Sequence, residues 1–179
     1  MGGRVALEVF RAAPGRVTHI ALLNTGYQER PDDVAGEQES CNRYALLEVA
    51  RTQGMRAMAE RWIPPMIHPD RRTDAALTGA IAKMFSRKTP EIFEAQIRAL
   101  LDRPDAGRVL GEIRCPALLL SGREDCWSPP ARHAQMAARI PGGPTAPPRL
   151  MIVPHCGHMS TLEQPPAVAE ALRAWLLNE

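Results

Sequence analysis

Several features are scarce or absent in this chain, and each absence narrows the reading. Four cysteines (Cys41, Cys115, Cys126 and Cys156) stand among 179 residues with no C-x-x-C spacing. Free thiols in a reducing cytoplasm are therefore expected rather than disulfides. No apolar run approaches membrane-spanning length and no signal-peptide pattern is present, so no membrane partner is expected. The formal charge is only +2 and aromatics make up 4%. The arginines are scattered, with no basic run interleaved with aromatics, which argues against nucleic acid as a partner. There is no internal repeat and no low-complexity tract. What is present is 45% hydrophobic and 23% charged residues, the balance of a globular chain long enough to bury a sizeable core.

The pattern along the chain is α/β. Residues 3–13 carry an apolar face of Val5, Ala6, Leu7, Val9, Phe10 and Ala13. Arg4, Glu8 and Arg11 form a narrow polar stripe, which predicts a mostly buried helix stopped at Pro14-Gly15. Three apolar runs read as buried parallel strands: about 16–25 ("RVTHIALLNTG"), 115–122 ("CPALLLSG") and 149–155 ("RLMIVPH"). Helices are expected after them. One runs to about Ile140, capped by Ser128 ahead of Pro129-Pro130, and another covers about 166–177. The stretch 27–112 has helical periodicity instead. Four helices are marked by Tyr44 and Leu47, by Met55, Met58 and Trp62, by Leu77, Ile81 and Met84 behind a Thr73-Asp74 cap, and by Phe93 and Ile97 behind Thr89-Pro90. A helical insertion thus interrupts an α/β framework.

Two loops could carry chemistry. One strand runs into Gly122-Arg123-Glu124-Asp125, and the next into a loop holding His155 and His158. In a parallel sheet, chemistry gathers at the carboxyl ends of strands. An Asp followed by a His at successive strand ends is the acid–base half of a nucleophilic triad, which points to Asp125 and His158. Simpler readings stand beside this one. Asp125 can be a turn residue, Glu124 can take its place, and His155 fits a strand-end histidine without a role. A zinc site from His155, His158 and Cys126 lacks a convergent ligand set. Neither Cys126 nor Cys156 sits on a strand–helix elbow. Ser121, Ser128 and Ser160 lack the G-x-S-x-G frame of a nucleophile. The methionines at 55, 58, 66 and 84 can be plain core or a soft pocket wall.

Gly122-x-x-Asp125, Gly157-His158-Met159 with the "LEQPPAVAEALRAWL" helix behind it, and the opening Met1-Gly2-Gly3 together resemble the α/β-hydrolase family over essentially the whole chain. The resemblance implies a core of 1–26 and 113–179, with 27–112 as a helical cap over an apolar pocket. Met1-Gly2-Gly3 resembles the end of a G-x-S-M-G-G elbow. That likeness implies a nucleophilic serine preceding Met1, no nucleophile within the chain, and the Met1 backbone N–H as an oxyanion donor. The expected chemistry is hydrolysis of a small acyl ester by a Ser-His-Asp triad without a cofactor, the chain as given being inactive. Lactone, C–C bond or acyl-carrier methyl ester hydrolysis remain open. So does a non-catalytic module that binds a ligand or partner. Without a neighbouring strand, residues 17–24 would form an uncharged edge, which predicts self-association.

Overall fold

Every residue of the central strand is buried, and the rest of the sheet is arranged around it. The computed structural model describes residues 1–143 and 147–177. The strands are β1 (Ile20–Leu23), β2 (Ala117–Gly122) and β3 (Arg149–Val153), in the order β1-β2-β3 and all parallel. The helices are α1 (Gly2–Ala12), α2 (Val34–Gln53), α3 (Met55–Trp62), α4 (Ala75–Ser86), α5 (Pro90–Leu101), α6 (Gly107–Glu112), α7 (Pro130–Arg139), α8 (Ser160–Glu163) and α9 (Pro165–Leu176).

The chain divides into two units. The first comprises Met1–Gln28, Met66–His68 and Asp105–Glu179, and the second Glu29–Pro65 and Pro69–Pro104. In the first, alternate strand residues face opposite layers, as the two-residue side-chain period requires. Ile20, Leu22, Ala117 and Leu119 pack with Leu7 and Phe10 of α1, Val109 and Leu110 of α6, and Met136 of α7. Leu118, Leu120 and Val153 pack with Val168, Ala171 and Trp175 of α9. The result is a three-layer helix–sheet–helix core.

The strands are shorter than their apolar runs. Pro14–Arg16 forms a 3-10 turn. Pairing begins at Ile20 opposite Ala117, where the Ile20 N–H donates to the Pro116 carbonyl at 3.0 Å. Pro116 has no N–H with which to carry the ladder further back. Only β2 is buried along its whole length. In β1 residues alternate between buried and partly exposed, and β3 starts exposed at Arg149 and Leu150. Nor is α1 mostly buried. Leu7 and Phe10 are covered, while Val5 and Val9 are 55% and 51% exposed. The apolar positions of α1 wrap more than one face, and the sheet covers only the face carrying Leu7 and Phe10.

The second unit is helical and has its own core. Leu47 and Ala50 of α2, Met55 and Met58 of α3, and Phe93 and Ile97 of α5 form one cluster. Met55 and Met58 are therefore interior packing, not a pocket wall. Three of its helices begin as their sequences dictate. Asp33 accepts from Ala35 N and Gly36 N, Asp74 from Leu77 N, and Thr89 from Ile92 N. Glu39 of α2 receives both Nη atoms of Arg103, each at 2.8 Å, and Arg43 of the same helix at 2.7 Å. Burial raises the Glu39 carboxyl, but the two guanidinium groups outweigh it and hold the group below the ordinary carboxylate range.

Candidate active site

Three loops leave the carboxyl ends of the three strands, and each brings one polar side chain to a common point. β1 ends because Asn24 takes a left-handed conformation (φ 46°), which turns the chain out of the sheet while its N–H still reaches Leu120 O at 2.8 Å. β2 ends at Gly122, three residues before Asp125. β3 ends at Val153, before Pro154 and a left-handed His155 (φ 51°), and the chain then returns toward the sheet at Gly157. A Cβ on Gly122 would stand 2.1 Å from Gly157 O and 2.2 Å from Cys156 O, so only glycine lets the two loops approach this closely.

That approach joins the two residues singled out in the sequence. His158 Nδ1 lies 2.9 Å from Asp125 Oδ2. Asp125 is 2% exposed, and all its acceptor capacity is used. Trp127 N and Ser128 N donate to Oδ1 at 2.9 Å each, and Asn24 Nδ2 shares Oδ2 with the histidine at 3.0 Å. Burial pushes the Asp125 carboxyl up. The hydrogen bond and charge of His158, with the Ser128 N–H and Asn24, overcome this and leave it below its ordinary value. An ionised carboxylate only accepts, so His158 carries its proton on Nδ1 and leaves Nε2 with a lone pair. The arrangement can accept a proton at Nε2 and stabilise the imidazolium that results.

Ser128 does not cap α7. Pro129 occupies the cap position without a side-chain bond, and the Ser128 N–H is held by Asp125. The turn after β2 is thus organised by the Asp125 carboxylate itself, which takes both a turn role and a contact with His158. Glu124 binds Cys156 N at 2.9 Å and does not replace Asp125. His155 is exposed, with its ring 5.5 Å from that of His68. Among the described residues no serine side chain is hydrogen-bonded to His158. Ser121 Oγ donates to Ser128 O at 3.0 Å, and Ser160 Oγ donates to Asn24 Oδ1. A cavity of about 320 Å³ is lined by Met1, Gly2 and Gly3 at the start of α1 and by Asn24, His158 and Ser160. Met1 is therefore at the site, with its carbonyl accepting from Arg4 N and Val5 N.

Asn24, Glu163 and His133 gave no signal in the sequence. His133 is fully buried. Thr25 N donates to its Nε2 at 3.2 Å, so Nδ1 carries the proton, 3.3 Å from Pro129 O. Burial lowers its pKa and keeps the ring neutral. An unfolded histidine protonates at about pH 6.5, whereas the folded one resists. Acidification below about pH 6.5 therefore favours the unfolded chain. The urea midpoint should fall between about pH 7 and 5, before the carboxylates titrate, and the slope should flatten in His133→Asn.

The three-layer fold, with its polar site at the carboxyl ends of parallel strands, is that of an α/β hydrolase. The sequence profile of the Alpha/beta hydrolase family matches residues 1–171, and the chain belongs to that family. Among curated proteins it is similar to a pimeloyl-[acyl-carrier protein] methyl ester esterase of Nitrosomonas europaea, 26% identical over 172 residues, covering 92% of this chain and 64% of the relative. Among solved structures it is similar to a thermophilic esterase from Thermogutta terrifontis, with a TM-score of 0.84 and 28% identity, covering 99% of this chain and 62% of that one. An enol-lactonase from Burkholderia xenovorans LB400 shares the fold, with a TM-score of 0.78 and 23% identity over 99% of this chain and 63% of that one. The chain therefore spans a little under two thirds of the length of these relatives. No helix among the described residues is long and apolar enough to cross a membrane.

Proposed function

We propose that this chain supplies the acid–base half of a serine esterase. His158 takes the proton of a serine nucleophile and returns it to the leaving alcohol, and Asp125 fixes the histidine tautomer and stabilises the imidazolium. The observation that carries the reading is the 2.9 Å contact between His158 Nδ1 and a buried, fully hydrogen-bonded Asp125. The serine belongs to a segment preceding Met1. It would enter beside the cavity that Met1, Gly2 and Gly3 share with His158. The first N–H groups of α1 and the positive end of its dipole then face the developing oxyanion, with the Met1 N–H as the leading donor. The helical stretch within 27–112 serves as the cap, and the substrate is a small acyl ester, in line with the esterases to which the chain is similar. Four cysteines kept as thiols rather than disulfides suit a reducing cytoplasm.

The test is turnover on a panel of short acyl esters. The 179-residue chain should show none above background. A longer chain, extended upstream through an in-frame glycine–x–serine, should hydrolyse them and be trapped by a serine-directed phosphonate. Turnover by the short chain that depends on His158 would place the nucleophile elsewhere, and an inert extended chain would favour a binding module.

A further inference from the structure

Glu163 closes α8 and is 3% exposed, and among the described residues no hydrogen bond or ion pair joins it to Asp125 or to the imidazole. Its carboxylate collects three backbone N–H groups. Gly157 N donates to both oxygens at 3.0 and 3.1 Å, Met159 N to one at 3.1 Å, and His68 N to the other at 2.7 Å. Gly157 and Met159 are the two neighbours of His158 in the chain. The remaining N–H of this stretch, that of His158 itself, donates to Met66 O at 2.6 Å. Three consecutive backbone N–H groups are thus fixed, two by one carboxylate and one by the 66–68 segment. Gly157 allows the closeness, since a Cβ there would stand 2.7 Å from Met66 O.

A buried carboxylate is costly to desolvate. Plain packing under α9 would be served better by an apolar residue. Charge-assisted bonds to three N–H groups offset that cost, and two of the three flank the histidine. We infer that Glu163 is a positioning residue: it holds the 157–159 backbone so that His158 Nδ1 meets Asp125 Oδ2, and acts on the imidazole only through the main chain. The inference rests on reading His158 as the base, but the readout below needs no turnover. A failure of the esterase proposal would therefore leave the positioning result intact, and the reverse also holds.

The experiment follows the His158 imidazole by ¹H–¹⁵N NMR in the 179-residue chain, together with urea unfolding. In the unaltered chain the Nδ1 proton should be strongly downfield and slow to exchange. Glu163→Gln keeps the shape but removes the charge and turns an amide toward N–H donors. It should make that proton exchange at least about tenfold faster through local opening. Val168→Ala, in the α9 core, should lower the urea midpoint and leave the signal in place. If Glu163→Gln does not fold, Glu163→Asp is measured instead, and the same acceleration is expected because its carboxylate falls one methylene short. A folded variant with the original signal would overturn the inference. So would equal loss of the signal in Val168→Ala, or failure of both Glu163 variants to fold while Val168→Ala folds, because Glu163 would then be only a fold determinant.

Discussion

Asparagine at position 125 is expected to lower kcat of the serine-containing protein by about 10,000-fold while leaving the fold intact. The side chain is nearly isosteric, so the bonds from Trp127 N and Ser128 N to Oδ1 survive if the amide oxygen takes that side. The amide nitrogen then faces Asn24 Nδ2 and His158 Nδ1, where two donors had met one acceptor oxygen. The histidine answers by moving its proton to Nε2, and the lone pair needed for the serine proton is lost. KM should change little, because Asp125 is buried away from any ligand. A fall in kcat with an unaltered circular dichroism spectrum is the expected outcome. A fall of less than about tenfold would mean that the carboxylate has no part in setting the tautomer.

The second large effect is expected at Gly122. A methyl group there meets two backbone carbonyl oxygens, those of Cys156 and Gly157, at close to 2 Å, and backbone cannot swing aside as a flexible side chain can. Either β2 and β3 separate at their carboxyl ends, where Gly122 pairs with Val153, or the 156–158 loop lifts. Lifting the loop removes the Asn24 bond to Gly157 O and draws His158 from Asp125. Overpacking of this kind costs about 1–3 kcal/mol, and a shift of about 1 Å at a reacting group costs about 100-fold in rate. Gly122→Ala should therefore lose activity out of proportion to its loss of urea stability. Activity that falls only as far as the folded fraction falls would show that the loop tolerates the displacement.

The contrast between what the sequence shows and what the structure adds has a physical basis. The buried strands announce themselves by short apolar runs. A residue just beyond such a run has a known place, which is why Asp125 and His158 can be read as neighbours. Asn24 also follows such a run, but an asparagine after a strand reads as an ordinary turn residue. Its value comes from reaching both Asp125 and Gly157 O across the sheet. Glu163 is the lone acid of a short polar stretch, which reads as an ordinary solvated residue, and only the fold turns it toward three N–H groups. Val5 and Val9 mislead for the converse reason, since an apolar side chain in a helix does not state whether anything covers it. Ser128 precedes two prolines, a strong cap signal, but Asp125 takes its N–H first and Pro129 becomes the cap. Local patterns thus give the elements and their ends. Some of the contacts that tune the site join residues more than about 100 positions apart, such as Asn24 with Asp125 and with Gly157, and leave no periodic trace.

The most direct test of the assignment is the steady-state turnover of a short acyl ester by the serine-containing protein carrying His158→Ala. The exposed side of the histidine and the surrounding backbone permit this truncation without loss of the Asp125 turn, which Trp127 N and Ser128 N still support. With His158 as the proton acceptor, turnover should fall by about a million-fold toward the residual rate left by the oxyanion donors and binding alone. Turnover within about tenfold of the unaltered protein would contradict the assignment, since a general base is worth about 100-fold or more, and would show that another group activates the nucleophile.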